Sequence, residues 1–396
     1  MSFFLSLNLW AQSFSPCSVS DRMDEKRIAL ENFIREKKSE IPSAGSAILT
    51  VPVVFHVVYH TAAENIPDAQ ITSQLDYSGK DYRRQNADTI NTPSAFSGLA
   101  ADAQIEFCLA SSDPSGNSTN GITRTLTDSL TFVAFPGSTD PMKHTATGGI
   151  DAWDTQKYLN IWIVNLSNAS GYASNPAQHG TPNDGIVMSH NSISNIHLLS
   201  HEIGHYLNLI HVYGNEIPNC QTTDGGDQVS DTPDQAESVH MCPTFPQTDS
   251  CTTAAPGIMF MNFMDQTNST CQNLFTQGQT TRMRDVLNTQ RASLLTSAGC
   301  IPTGINKQGI SKDFFIFPNP SRGDVHFDYA VKEGEIATIT IFDISGRIVL
   351  YSRLDKNKFH QAIPSSALAA GIFIFRIDTG RSELIHGKFI KVGDPN

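Results

Sequence analysis

The residues best suited to chemistry stand together in His201-Glu202-Ile203-Gly204-His205-Tyr206-Leu207-Asn208-Leu209-Ile210-His211. On a helix, His201 and His205 are four apart and share one face, so both imidazoles reach one zinc ion at about 2.0–2.1 Å. Glu202 follows the first histidine, and its carboxylate reaches the coordination position left to a water. A metal makes that water acidic; Glu202 takes its proton as general base and later returns it to the leaving amine. His211 lies six residues past His205, where an unbroken helix would turn it to the wrong face. The chain must therefore turn at Asn208, the non-glycine type most tolerant of the left-handed conformation that ends helices. His211 then swings back as third ligand. Three neutral imidazoles and a water make an open catalytic site, unlike the closed four-ligand structural kind. Two histidines flanking a glutamate arise by chance in core helices. A third at the right offset, behind a turn-forming residue, makes accident the poorer reading.

Leu198, Leu199, Ile203 and Leu207 give this helix an apolar face to bury. The elements that must hold it lie upstream. The β-branched run 51–59 reads as a buried strand, and residues 68–86 as a helix with Ile71, Leu75 and Tyr82 at helical spacing. Residues 105–109 and 159–164 read as two more strands. Strand, helix, strand, strand and a motif-bearing helix make an α/β or α+β pattern. His56, inside the first strand, is expected to be structural.

At 396 residues the chain has room for two or three units, and its net charge is −12. An acidic chain without basic blocks is a poor nucleic-acid binder, and no apolar run approaches the ~20 residues of a membrane span. The acid excess is local: residues 40–300 carry nine basic and twenty-four acidic side chains, while both flanks are near balance. Residues 1–11 read as a signal peptide with its basic start upstream of Met1, the alternative being a buried strand or short helix. Residues 12–45 read as a propeptide: a charged helical stretch, then Lys37-Lys38 before the exposed, cleavable Pro42-Ser43-Ala44-Gly45.

Of seven cysteines, Cys220, Cys242, Cys251 and Cys271 fall in a stretch rich in Gly, Pro, Thr and Asp. A zinc cage there would want paired CxxC spacing, which is absent. Disulfides stapling a long loop fit better and require an oxidising compartment. Cys108 and Cys300 could form a third bridge, leaving Cys17 over.

The extended histidine motif resembles the metzincin zinc peptidases, with Asn208 where most members have Gly. Met261-Asn262-Phe263-Met264-Asp265 is similar to their Met-turn, which would place Met264 beneath the zinc site. Further stretches resemble the pappalysin branch: Phe107-Cys108-Leu109-Ala110, Asn120-Gly121-Ile122-Thr123-Arg124, Asp151-Ala152-Trp153, Tyr158-Leu159-Asn160-Ile161-Trp162 and Ser230-Asp231-Thr232-Pro233. The resemblance implies an α+β peptidase domain over 46–300, with a twisted mixed sheet, the active-site helix and a loop-rich, disulfide-stapled lower subdomain. It implies the pairs Cys220–Cys251 and Cys242–Cys271. It also implies a calcium ion near Asp227, Asp231 and Thr232, whose other reading is ordinary turn residues. It casts Cys17 as the zymogen's zinc ligand, although Pro16-Cys17-Ser18-Val19 departs from the usual Cys-Gly-Thr.

Two further departures concern the cleft. Many relatives have Tyr two residues past the Met-turn Met, stabilising the transition state; here that residue is Gln266. Relatives that cut before Arg or Lys carry an acid two positions before the last loop cysteine; here it is Ser269. No strong preference for a basic P1′ residue is therefore expected.

After a linker at 301–313, residues 314–396 read as short strands with Gly and Pro turns, a small β-sandwich. Pro318-Asn319-Pro320-Ser321-Arg322-Gly323, the Asp343-to-Arg347 turn and the Leu368-to-Phe373 strand entry resemble the C-terminal sorting domain of type IX secretion. An adhesive or carbohydrate-binding module is the alternative. Together these readings describe a secreted or surface-attached zinc endopeptidase made as a zymogen, exported through periplasm and outer membrane. Its partners would be protein or peptide substrates and the type IX machinery. The rival readings are a surface binding protein on a decayed metzincin fold, suggested by Gln266 alone, and a hydrolase of non-peptide amides.

Overall fold

The computed structural model describes residues 15–17, 25–38, 47–134, 140–214, 220, 226–300, 314–317, 319–329, 337–344, 347–354, 360–364, 368–378 and 384–392. The expected signal peptide (1–11), the cleavable 42–45 stretch and the linker 301–313 lie outside the described residues. The chain divides into two compact units, Met1–Cys300 and Ile301–Asn396.

The first unit runs β1 (Ser15–Cys17), α1 (Glu25–Lys38), β2 (Leu49–Tyr59), α2 (Asp68–Tyr82), α3 (Ser94–Ser97), β3 (Ile105–Leu109), β4 (Ile122–Leu126), β5 (Leu159–Val164), β6 (Ala169–Ala173), β7 (Ile186–Ser189), α4 (Leu198–Tyr206), α5 (Gln277–Asn288) and α6 (Ala292–Leu295). Its strands form one sheet in the order β1-β6-β7-β5-β2-β3, with β4 also paired to β2. β3, β4 and β5 run parallel to β2, and β7 parallel to β5. β6 reverses against β7, and β1 runs parallel to β6. The sheet is therefore mixed, and the fold is α+β.

β2 is central, and both of its faces are buried, which is why it reads as an unbroken β-branched run. Val51, Val53, Phe55 and Val57 enter the core shared by Ile71, Leu75 and Tyr82 of α2 and by Leu199, Ile203 and Tyr206 of α4. Polar contacts fix α4 against α2 as well. The Tyr82 hydroxyl donates to the Ser200 carbonyl at 3.1 Å, and Gln74 Nε2 donates to the carbonyls of Ile193 and Asn195 just ahead of α4. α2 ends at Tyr82, four residues short of the sequence expectation, because Arg84 takes φ 47° and Gln85 N bonds back to Lys80 O. A left-handed residue stops helix propagation. His56 is structural: Nδ1 meets Thr123 Oγ1 at 2.7 Å, Nε2 meets Asn160 Oδ1 at 2.9 Å, and burial pushes its pKa down to about 4.

Between α4 and α5 the described residues form neither helix nor strand. Cys220–Cys251 and Cys242–Cys271 staple this stretch, and Cys108–Cys300 ties β3 to the end of the unit. A loop of about thirty residues closed in this way gains roughly 3–4 kcal/mol from a restricted unfolded chain.

The second unit packs a four-stranded sheet, β11 (Ile348–Leu354), β10 (Ala337–Asp343), β13 (Gly371–Asp378) and β14 (Leu384–Lys391), with a three-stranded one, β12 (His360–Ile363), β9 (Val325–Tyr329) and β8 (Phe314–Phe317). Val325 and Phe327 share one core with Ile339, Ile341, Phe373, Phe375 and Phe389, which makes it a sandwich. The turn between β10 and β11 is closed by Arg347 Nε donating to Asp343 Oδ2 at 2.9 Å.

Arg291, fully buried behind α4, donates to both Asp184 oxygens (2.6 and 2.9 Å), stacks on the Tyr206 ring and gives Nε–H to the Tyr206 carbonyl. Burial alone would raise the Asp184 carboxyl; the guanidinium, with help from His179 and Ser174, outweighs it and holds the pKa at about 2. A depressed folded pKa stabilises the fold above the ordinary carboxylate range and loses that contribution as pH falls through about 2. Arg291→Ala should therefore cost about 3–5 kcal/mol at pH 7, measured by denaturant unfolding. The cost should shrink in acid; an equal loss at pH 2 and pH 7 would show that packing, not the pair, matters.

Candidate metal centre

α4 supplies the first two histidines, and its end supplies the geometry for the third. Asn208 stands at φ 71°, and Leu209 N bonds back to Gly204 O at 2.8 Å. This left-handed stop turns the chain so that His211 returns to the helix face. The three Nε2 atoms form a triangle with edges of 3.1, 3.1 and 3.2 Å. All three rings are buried.

Their tautomers follow from their partners. His201 Nδ1 lies 2.7 Å from the Phe263 carbonyl and His205 Nδ1 lies 3.0 Å from the Leu209 carbonyl. A carbonyl only accepts, so each Nδ1 carries the proton and each Nε2 presents a lone pair. Burial, then the nearby Arg27 charge, pushes the His211 pKa down to about 3, so this ring is neutral as well. Nitrogen corners around an ion at about 2.0–2.1 Å in a tetrahedron stand about 3.3–3.4 Å apart. The donor set therefore fits zinc, and among the described residues it is the one group of three or more His, Cys, Asp or Glu poised for a metal.

Met264 packs against Gly204 of α4. A methyl group added at Gly204 would collide with its sulfur, so glycine in the motif makes room for the methionine. Met264 O accepts from Val212 N, which clamps the returning segment onto this turn. Glu202 is fully buried, and β6 comes close enough that a Cβ on Gly171 would sit 2.8 Å from Glu202 Oε1. Gly171 is also the register partner of Cys17 in β1. The N-terminal segment thus pairs with the strand that packs on Glu202; the Cys17 side chain lies outside the described residues.

α1 docks nearby, with Leu30 and Ile34 in the main core. Glu31 Oε1 accepts from Asn208 Nδ2 at 2.8 Å and from Arg282 Nη2, while Arg282 Nε donates to Asn208 O at 2.8 Å. At the other end of α4, burial opposes the charge of His197, but Asp81 (2.7 Å) and Asp88 (3.2 Å) outweigh it and raise its pKa to about 9.

Beside His201 a small pocket is lined by Asn195, Leu198, Asp265, Gln266 and Thr267. Burial lifts the Asp265 carboxyl to about 7, and its oxygens accept from Gln235 Nε2, Val239 N and Gln266 N. Ser269 is half-buried. Gln266 Nε2 donates to the Tyr213 hydroxyl at 2.5 Å, and the Tyr213 ring stacks on His211 with centroids 4.7 Å apart. Among the calcium candidates, Asp227 accepts from Thr232 Oγ1 and Val229 N, whereas Asp231 caps α5 through Thr276 Oγ1 and Gly278 N.

Sequence reasoning passed over Gly171, Glu31, Asp265 and Tyr213. Tyr213 had a local signal, an aromatic hydroxyl two residues past His211, and Asp265 had its place next to Met264. Gly171 and Glu31 had none, since only strand and helix pairing bring them here.

The peptidase family model described as pregnancy-associated plasma protein-A matches residues 149–288, and a secretion system C-terminal sorting domain matches 315–392. An extracellular metalloprotease of Neurospora crassa is 30% identical over 294 residues, covering 69% of this chain and 88% of that protein. One of Sordaria macrospora is 29% identical over 292 residues, with the same coverages of 69% and 88%. Among solved structures, a promirolysin mutant of Tannerella forsythia is 40% identical with TM-score 0.64, covering 71% of this chain and 97% of that one. Mature Tannerella forsythia mirolysin in complex with a cleaved peptide is 44% identical with TM-score 0.59, over 64% and 97%. With the buried histidine triangle, the Met264 floor and these likenesses, the chain belongs to the pappalysin family of metallopeptidases, a secreted metalloendopeptidase carrying a type IX sorting domain.

Proposed function

We propose that His201, His205 and His211 hold one zinc ion through Nε2 and that Glu202 is the general base of peptide-bond hydrolysis. The observation that carries this is the triangle of buried Nε2 atoms, with the Nδ1 protons of His201 and His205 given to backbone carbonyls, an arrangement that a cation completes. Bound zinc supplies Lewis acidity to the attacking water and the scissile carbonyl. Glu202, pressed against Gly171, takes the water's proton and gives it to the leaving nitrogen. Met264 forms the floor of the site, and Gln266 brings an amide where relatives carry a tyrosine. Substrate would add as an extended strand along the β6 edge that β1 covers in this chain.

This makes residues 12–45 a propeptide behind a signal at 1–11, with 46–300 the catalytic domain, 301–313 a linker and 314–396 the sorting tail read by the secretion machinery. Cys17 is the zymogen ligand to zinc; its pairing with Gly171 is the support for that role. Glu31, bonded to Asn208 and Arg282, latches α1 to the turn that presents His211. Calcium at Asp227, Asp231 and Thr232 is part of the reading, supported by burial that raises the Asp227 carboxyl to about 7, a cost a hard cation relieves. Ser269 leaves the specificity region without its acid, and Asp265 has its oxygens occupied by protein donors.

After limited proteolysis, the wild-type protein should cut a peptide library, and Glu202→Ala should lose at least about 10²–10⁴ of that rate. The cut sites should show no dominant Arg or Lys at P1′; a dominant basic residue there would sink the specificity reading. Metal analysis should find one zinc per chain, lost in His211→Ala. It should also be weakened by Asn208→Val, in which a β-branched residue meets φ 71°, but retained in Asn208→Gly. Equal zinc content in all four proteins would refute the triad. Finally, Cys17→Ala and Glu31→Ala should each shorten the lag before activity appears, with the mature enzyme's kcat unchanged. An unaltered lag in both would remove the propeptide from latency.

A further inference from the structure

We propose that the pocket beside His201 seats a substrate side chain next to the scissile bond, and that its walls admit only small, uncharged side chains. The inference rests on the zinc-peptidase reading above and deepens it by naming the class of peptide that is cut.

The pocket measures about 50 Å³, and His201 is part of its wall. One water needs about 10–15 Å³ on this measure, so the space takes roughly three to five non-hydrogen atoms. Val and Thr fit, and Leu and Asn stand near the limit. Arg, Phe, Tyr and Trp exceed it. Lys reaches the limit by volume, so charge must decide its case. An extended peptide advances about 3.3–3.6 Å per residue. A chain whose scissile carbonyl sits at the histidine triangle therefore has an adjacent side chain within reach of this pocket.

A pocket selects by size only if its walls hold still. On the α4 side, Asn195 Oδ1 accepts from His197 N at 3.3 Å, and Asn195 O accepts from Leu198 N at 3.2 Å and from Gln74 Nε2 at 2.9 Å. Across from it, Gln272 Nε2 donates to Asp265 O at 2.8 Å, and Thr267 Oγ1 donates to Phe260 O at 2.9 Å. Gln272 and Thr267 are each 5% exposed, and Cys271, next to Gln272, is cross-linked to Cys242. Neither wall can swing aside without breaking a buried hydrogen bond.

The charged groups in the lining already have partners. His197 Nδ1 lies 2.7 Å from Asp81 Oδ2, and its Nε2 lies 3.2 Å from Asp88 Oδ2, so both ring nitrogens are taken. Asp265 Oδ1 accepts from Val239 N and Gln266 N, and Oδ2 accepts from Gln235 Nε2. A Lys drawn to Asp265 would have to displace these donors. An acidic side chain would find no free N–H on His197. A charge moved out of water without a partner is costly, so both signs are disfavoured. What the lining offers instead is the apolar Leu198 and the short dipoles of Asn195, Thr267 and Gln272. These suit Ala, Ser, Thr and Val.

The test gives the full-length protein, after limited proteolysis, a peptide library that varies two adjacent central positions, with cut sites read by mass spectrometry. At one of the two positions flanking the cut bond, Ala, Ser, Thr and Val should be favoured over Phe, Arg and Lys by at least about tenfold in kcat/KM. Gln272→Ala opens one wall and should raise the Phe-to-Ala ratio at that position by about tenfold or more. Thr267→Ser removes one methyl and keeps the hydroxyl, so it should shift the Leu-to-Val ratio the same way by a smaller factor. Preference at the other flanking position should stay unchanged in both variants, which a general loosening of the cleft would not give.

Equal cutting of Ala, Phe and Arg peptides at both positions overturns the proposal. A size limit that neither variant moves, at wild-type zinc content and Tm, overturns it too, since the limit then lies outside this pocket. Should Gln272→Ala fail to fold, the Thr267→Ser ratio decides alone. Cutting that Glu202→Ala abolishes, but without a size limit, leaves the peptidase reading standing and removes only the pocket's role. Absence of any cutting that depends on Glu202 removes that reading itself, and the pocket's role with it.

Discussion

Three imidazole nitrogens converge on one point inside the protein, and the architecture of the first unit keeps them there. Each Nε2 stands 3.1 or 3.2 Å from the other two. Water cannot separate them, because the rings are buried. Protonation is opposed, because carbonyls hold the Nδ1 protons of His201 and His205 and burial disfavours a charge on His211. The carbonyls come from Phe263 and from Leu209 just past Asn208, so ring orientation is set by backbone that is itself pinned. Met264 needs Gly204, and the Val212 amide needs Met264 O. A cation is the compensation that this arrangement leaves open.

The same few residues tie the N-terminal segment to the site. Asn208 ends the helix in the left-handed region, as glycine would, but unlike glycine it has an amide to offer, and that amide meets Glu31. Arg282 grips both partners, through the Asn208 carbonyl and the Glu31 carboxylate. The departure from glycine therefore has a physical consequence: the turn that delivers His211 is also the docking point of α1. At the far side, β1 runs along β6 with Cys17 opposite Gly171, the residue that touches Glu202. The N-terminal segment thus approaches α4 through Gly171 beside Glu202 and through Asn208 past the helix C-terminus.

Much of this was legible in the sequence because it rests on local periodicity. Strands β3 and β5 fall where β-branched and aromatic runs place them, and β2 extends its run by two residues. The histidine triangle follows from helical spacing plus one turn-tolerant residue. What could not be read is what depends on register between distant segments. Gly171 looks like any strand glycine until β6 is laid against α4. Arg84 looks like a helix former until its φ of 47° ends α2 early. Tyr213 looks like core until its ring is found flat on His211 with its hydroxyl toward Gln266. Gln266 shows the limit most clearly: read alone it suggests a weakened site, and only the structure shows its amide bonded to the Tyr213 hydroxyl.

Export places its own demands on such a chain. The stretch between α4 and α5 has no helix or strand among its described residues, yet it carries Met264 and one side of the pocket beside His201. Loop backbone of that length holds a site to fractions of an ångström only if its freedom is removed by other means. The disulfides Cys220–Cys251 and Cys242–Cys271 remove it, and they form only in an oxidising compartment. The sorting domain at residues 315–392 agrees with export to such surroundings. Catalytic geometry in this stretch therefore depends on cross-links whose chemistry requires an oxidising compartment.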